Sequence, residues 1–321
     1  MVDQWNGDKC DLHRHLGGSI SPATVAKIMH RSGKGLPLNT ISNRMVCNTL
    51  NIGFAAFLGK FTILNEIQWP DWAIELSVKQ VCEDIAVEGI SYSEISFSIG
   101  KYISTGRKPA DAVQLISRLF KQYAKQSGIR VGLLLSMQYH SPRELQSIYA
   151  DLIDNPKIRE SLCGLDLIGD ENYFDIDFYK PIFEKWRSHN IGTLRAHVGE
   201  MPGSADNIEI AIKQLGATSI AHGIQASDDD LKLAADHQVC FDLALRSNKI
   251  TGAWADLESH PIKRMLEAGC IVTLNTDDPI QFSCTLNDEF KLAITNKLIT
   301  LDQAKQIMHN AWAVSHYNRN T

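Results

Sequence analysis

Ile271-Val-Thr-Leu-Asn-Thr-Asp-Asp-Pro279 opens as a short apolar, β-branched run and ends on two adjacent carboxylates and a proline. The run has the composition of a buried strand, and Pro279 stops it because proline has no N–H to give to a continuing ladder. Asp277 and Asp278 at its mouth allow two readings. Asp before a helical run is a common N-cap. Alternatively, two carboxylates side by side in a partly desolvated place repel each other, and both stay ionised only if a cation or strong donors meet them.

Outward from this strand the same unit recurs. Ile262, Met265 and Leu266 precede it at helical spacing. Leu231 to Ala235 precede Val239-Cys-Phe-Asp-Leu243, and Ile208, Ala211, Ile212 and Leu215 precede Thr218-Ser-Ile-Ala-His222. Phe178, Ile182, Phe183 and Trp186 precede Gly192-Thr-Leu-Arg-Ala-His197, and Leu145, Ile148, Tyr149 and Leu152 precede Leu165-Asp-Leu-Ile168. Val113, Ile116, Phe120 and Tyr123 come before Val131-Gly-Leu-Leu-Leu135, and Ile74, Val78, Val81 and Ile85 before Ser91-Tyr-Ser-Glu-Ile-Ser-Phe97. With Cys10-Asp-Leu-His13-Arg-His15, which runs out into Gly17 and Gly18, this makes eight strands alternating with helices. Such alternation demands parallel strands joined by helical crossovers. Eight units predict an α/β chain closed into a (β/α)₈ TIM barrel, and no Gly-x-Gly-x-x-Gly follows the first strand to suggest a dinucleotide fold.

Residues 21–69 break the rhythm. Pro22 suits a helix start, Gly33, Gly35 and Pro37 interrupt it, and Phe54, Phe57, Leu58 and Phe61 fall at helical spacing. We expect an N-terminal helical insertion covering the site as a lid, within a single domain spanning 1–321. Leu301, Ala304, Ile307, Met308 and Ala311 predict a closing helix.

Among 321 residues, 44% hydrophobic and 21% charged is the balance of a soluble globular chain. A formal charge of −5 argues against nucleic acid or an anionic membrane as the main partner. The seven cysteines are scattered without a Cys-x-x-Cys pair, which suggests a reducing compartment rather than a disulfide framework or a cysteine metal site. Met1 to Gly7 are polar and no run approaches the length of a membrane span, so the expected location is cytoplasmic.

In a barrel of this kind the active site lies at the C-terminal ends of the strands. His13 and His15 belong to strand one, two residues apart and therefore on one side. His197 ends strand five, His222 ends strand six, and Asp277 and Asp278 follow strand eight. Three histidines with one carboxylate suit a divalent transition metal, and zinc is the default for a nitrogen-rich set with an open position. Gly199 lets the chain turn so that Glu200 comes back over the rim. A carboxyl that is not a ligand, beside a metal-activated water, is what metal-assisted hydrolysis needs for proton transfer. The competing reading of Glu200 is a cap on the next helix. His30, His140, His189, His237, His260, His309 and His316 lie in helical or connecting stretches and are read as structural.

His13-Arg-His15-Leu-Gly-Gly, Gly169-Asp-Glu171, His197-Val-Gly-Glu200, Ala221-His222-Gly223, Ser247-Asn248 with Thr251-Gly-Ala-Trp254, and Leu274-Asn-Thr-Asp277-Asp278-Pro279 together resemble the adenosine deaminase family in order and spacing. The resemblance covers almost the whole chain. It implies one zinc ion per chain on His13, His15, His197 and Asp277, whose bound hydroxide attacks C6 of a purine. It further implies that Glu200 protonates N1, that His222 holds the hydroxide and steadies developing charge, that Asp278 contacts N7, and that the backbone N–H of Gly169 contacts N3. Adenosine would then give inosine and ammonia. The implied partner is a small-molecule purine, and the chain is expected to act as a monomer or weak homo-oligomer.

Two departures qualify this. Family members acting on adenosine carry an acid where this chain has Gly17, and that acid binds the ribose 5′-hydroxyl. Glycine offers no such bond and no negative charge to repel a bulky or anionic 5′ group. The expectation is a substrate with something other than a plain 5′-hydroxyl, or weak adenosine binding. Asp242-Leu-Ala-Leu-Arg-Ser247-Asn248 also lacks the family's Cys-Pro, which is expected to alter the sugar side of the pocket. Alternative functions are deamination of adenine base or of an N6-methyl-AMP-like nucleotide, hydrolysis of an amide or ester on the same barrel, and non-catalytic purine binding.

Overall fold

Each of the eight apolar runs forms a strand: β1 Lys9–His15, β2 Ile90–Ser98, β3 Arg130–Gln138, β4 Gly164–Ile168, β5 Thr193–Val198, β6 Ser219–His222, β7 Cys240–Leu243 and β8 Ile271–Leu274. These come from a computed structural model that describes residues 8–104, 106–189 and 192–319; the Met1 to Gly7 stretch lies outside the described residues. Every neighbouring pair from β1 to β8 is parallel and in sequence order. The expected barrel is therefore borne out.

The crossover helices are amphipathic as their spacing predicts. Helix Asp71–Val87 buries Ile74, Val78, Val81 and Ile85, and helix Pro109–Ser127 buries Val113, Ile116 and Phe120 against the barrel wall. Each such side chain taken from water contributes about 1.5–3 kcal/mol. Gly128 ends the second helix with φ 72°, a left-handed backbone that glycine adopts without strain.

The seam between β1 and β8, which ends at Leu274, is short. It is closed by a single bridge between Arg14 and Asp277. Asp277 N–H donates to His13 O at 2.8 Å and His15 N–H donates to Asp277 O at 3.0 Å. Asn275 Oδ1 accepts from Leu12 N at 2.8 Å, and Thr276 Oγ1 donates to Asp11 Oδ2 at 2.7 Å. The stretch that ends β8 thus closes the barrel as well as carrying its carboxylates.

Within residues 21–69 the chain forms helices Pro22–Arg31, Leu38–Met45 and Phe54–Gly59 and a 3₁₀ turn at Thr62–Glu66. Backbone bonds pin this segment to the rim: Cys47 N to Gln281 O at 2.8 Å, Ile52 N to Ile250 O at 3.0 Å and Gly53 N to Thr251 O at 3.1 Å. Phe57 stacks on Phe282 beneath it at 5.1 Å between ring centroids. Among the described residues no helix is long and apolar enough to cross a membrane. All seven cysteines are buried.

Candidate active site

His13, His15, His197 and Asp277 meet at the C-terminal mouth of the barrel, one donor atom from each lying within 4.8 Å of every other. Nε2 of His13 is 3.2 Å from Nε2 of His15 and 2.9 Å from Nε2 of His197, and the latter two are 3.2 Å apart. Asp277 Oδ1 is 3.5 Å from His13 Nε2 and 3.2 Å from His15 Nε2. The ring tautomers follow from the groups behind them. His13 Nδ1 faces the backbone oxygen of Asp242 at 3.4 Å, and His197 Nδ1 faces that of Leu167 at 3.0 Å. A carbonyl only accepts, so each Nδ1 carries the hydrogen and each Nε2 presents a bare lone pair. Burial, partly offset by Asp277, holds His13 well below its ordinary pKa and so neutral.

Lone pairs converging at this distance repel unless a cation accepts them all. A tetrahedral shell with bonds of about 2.1 Å spaces its donors by roughly 3.4 Å, close to what these four atoms show. The donor set therefore fits a divalent transition metal.

Backbone geometry aims these groups. Asp277 has φ 60° and His222 φ 66°, left-handed values that side chains other than glycine seldom adopt and that the barrel seam and strand end enforce here. Gly18 is required by contact: a Cβ there would fall 1.6 Å from Asp278 Oδ1. Gly18→Ala is expected to push Asp278 aside and lower kcat/KM by roughly 10²-fold, the scale of an ångström of misplacement. Steady-state kinetics beside a metal assay check this, since metal content should hold.

His15, Gly17, Gly169, His197, Glu200, His222, Asp277 and Asp278 line one cavity of about 590 Å³, and Phe54, Phe57, Leu58 and Phe61 of the insertion form one of its walls. That volume is ordinary for a small-molecule site. His13 is fully buried behind it.

Glu200 rides on a loop held by Glu171. The Glu171 carboxylate accepts from the backbone N–H groups of Gly199, Glu200 and Met201 at 2.7–2.8 Å and from Ser204 Oγ at 2.7 Å. Gly199 makes the turn at φ 66°. Burial, and then the charges of Asp277, Glu171 and Asp278, push the Glu200 carboxyl well above the usual carboxylate range. Burial and Asp277 do the same to Asp278, whose Oδ1 has no hydrogen-bond partner among the described residues. Asp277 moves the opposite way: against burial, His13, His15 and His222 hold it well below that range.

His222 is oriented by a chain of three bonds. The backbone N–H of Ile262 donates to His260 Nδ1 at 3.3 Å, so His260 Nε2 carries the hydrogen and donates to Asn248 Oδ1 at 3.4 Å. Asn248 must then turn its amide nitrogen to His222 Nδ1, 3.1 Å away. That leaves His222 with its hydrogen on Nε2, which points at Glu200 Oε2 and Asp277 Oδ2 from 3.7 and 3.8 Å. Burial draws both imidazoles down to about 3, so both rings are neutral.

Sequence reasoning read His260 and His140 as structural and assigned Glu171 no task. His260 is instead the start of the chain that sets His222, and His140 lines the cavity. Glu171 carried a signal, since it ends the β4 motif at the same rim. His260 carried none. The altered loop after β7 also differs from expectation. Leu245 is buried, Arg246 Nε donates to Phe282 O at 2.9 Å, and neither lines the cavity.

A family model described as adenosine deaminase matches residues 8–321. The chain belongs to the adenosine deaminase family. An adenosine deaminase of Clostridium acetobutylicum is 28% identical over 97% of this chain and 93% of its own length. Among solved structures, an adenine deaminase of Arthrobacter aurescens superposes with TM-score 0.84 at 19% identity, over 96% of this chain and 93% of that one. An amidohydrolase of Burkholderia ambifaria, solved with bound zinc, gives 0.82 at 20% identity, over 96% and 85%. Within this adenosine deaminase family chain, Gly17 sits on the cavity wall beside Lys101 and the ring of Phe61.

Proposed function

We propose that this protein hydrolyses the exocyclic amine at C6 of an adenine nucleoside, releasing ammonia and a 6-oxopurine, with one zinc ion held by His13, His15, His197 and Asp277. The observation that carries the reading is the convergence of bare imidazole nitrogens and Asp277 Oδ1 beside a carboxyl, Glu200, that burial keeps protonated. Zinc bound there supplies a Lewis acid that makes water a competent nucleophile near neutral pH.

The chain's own groups do the rest. Glu200 gives its proton to ring N1, which draws electron density from C6, and recovers one from the water. The second water proton leaves with the amine as ammonia, and the water oxygen stays on C6. His222 donates its Nε2–H to that oxygen and holds it on the attacked side. Asp278 meets N7 with its unpartnered oxygen, and the Gly169 N–H meets N3. The insertion at 21–69 serves as a lid over a single barrel domain and excludes water. Seven scattered cysteines without a Cys-x-x-Cys pair favour a reducing, cytoplasmic setting, and we read the chain as a monomer or weak homo-oligomer.

Amine release by the zinc-loaded protein tests this: ammonia from adenosine, AMP and adenine, and methylamine from N6-methyl-AMP. Release from at least one nucleoside or nucleotide is expected; none from adenosine, AMP or N6-methyl-AMP, whether or not adenine reacts, would refute it. His260→Phe should keep the packing but break the bond to Asn248. A drop in kcat/KM of roughly 10- to 100-fold is expected, as for other partners that orient site residues. Zinc stoichiometry should hold, because His260 touches no donor.

A further inference from the structure

The cavity is acidic at its floor, where Glu200, Asp277 and Asp278 gather, and it carries one Lys or Arg among its described lining residues, Lys101. Lys101 lies in the short turn of helix Gly100–Ile103 that follows β2. Its Nζ stands 3.5 Å from the point where a Cβ on Gly17 would be, with the Phe61 ring 3.6 Å from that same point. At the next residue, Gly18, the corresponding point is occupied by Asp278. Lys101 and Asp278 therefore face adjacent residues of one turn, and a ligand whose ring rests on Asp278 reaches Lys101 through its next few atoms.

The ammonium has no hydrogen bond or ion pair among the described residues, although it is largely buried and walled by aromatic rings. Burial, opposed by Asp278, draws it down to about 8. A partly desolvated ammonium without a partner is unfavourable, and such groups gather where a ligand supplies the opposite charge. Asp278 is not that partner, since no pair forms between them within ion-pair distance. The space over Gly17 is open only because that residue lacks a side chain. Contacts of 3.5–3.6 Å are ordinary, so the fold itself would accept one there.

We propose that Lys101 and the open space over Gly17 form an anion subsite, and that the nucleoside substrate carries a negatively charged 5′ group, a phosphate or a carboxylate. This rests on the deaminase reading above and names its substrate class. Ser98 and Ser104, on the same wall, offer hydroxyl donors to the anion's remaining oxygens. Lysine suits the task as a compact point charge.

The test compares kcat/KM for AMP, adenosine 5′-carboxylate and adenosine in wild type, Lys101→Met, Lys101→Arg and Gly17→Asp, alongside calorimetric affinity for the same compounds. Wild type should prefer at least one anionic compound over adenosine, and which one identifies the group. Lys101→Met should cut that preference roughly 10- to 100-fold, the range of a charge-assisted hydrogen bond, and mainly through KM. Gly17→Asp should cut it similarly, by filling the space and neutralising Nζ. Lys101→Arg should restore part of it. A wild type that prefers adenosine, or a preference unchanged within twofold in Lys101→Met, would overturn the subsite. If no compound releases ammonia, the deaminase reading fails on its own. Calorimetry still decides the subsite: tighter anion binding lost in Lys101→Met supports it, and equal affinities overturn it.

Discussion

Glu200→Gln is expected to lower kcat by roughly 10²- to 10⁴-fold, the contribution of a positioned general acid–base group. Glutamine keeps the length of the side chain, and the loop that carries it is held by Glu171 through backbone N–H groups that the substitution does not touch. What disappears is the proton. The wild-type carboxyl sits well above its usual range because it is buried among Asp277, Glu171 and Asp278, so near neutral pH it arrives at the substrate as an acid. An amide can donate a hydrogen bond to N1 but cannot release its hydrogen and take another from water. The effect should fall on kcat with KM little changed, and zinc stoichiometry should stay at wild type. Single-turnover measurement separates this from slow product release.

Asp277→Asn is expected to lower activity by roughly 10³-fold or more through weakened metal binding. Removing several kcal/mol of Lewis-acid stabilisation has that consequence. Asparagine is the informative replacement because position 277 has φ 60°, which Asn tolerates better than most residues. The backbone bonds of the seam, Asp277 N–H to His13 O and His15 N–H to Asp277 O, remain available. The variant should therefore fold with a melting temperature close to that of metal-free wild type. It loses the only anionic donor of the four, so its zinc affinity should drop. Metal analysis after dialysis, with kinetics at saturating zinc, checks both parts; partial rescue by high zinc is expected.

The barrel was legible because its evidence is local. Strands such as Ile271–Leu274 are enclosed by helices and read as apolar runs, and each helix shows its buried face through spacing alone. The metal cluster was legible for a related reason: its side chains lie on β1 and at the ends of β5 and β8, where barrel topology puts them on one rim. Residues 21–69 were harder, since short helices broken by Gly33, Gly35 and Pro37 have no sustained period. What remained hidden depends on contacts between distant segments. His260 reaches His222 only through Asn248, Glu171 acts on the backbone of a loop from another strand, and Lys101 meets Gly17 across two strands. No spacing rule encodes such meetings; residue 17 showed only that a side chain was missing.

Titration of metal-free protein with zinc, following ammonia release from AMP and adenosine at each addition, tests the central claim most directly. The account predicts that the rate is negligible without metal, rises linearly with zinc, and levels at one equivalent per chain. Ammonia release that is independent of zinc, or absent at every zinc level with both compounds, would contradict it.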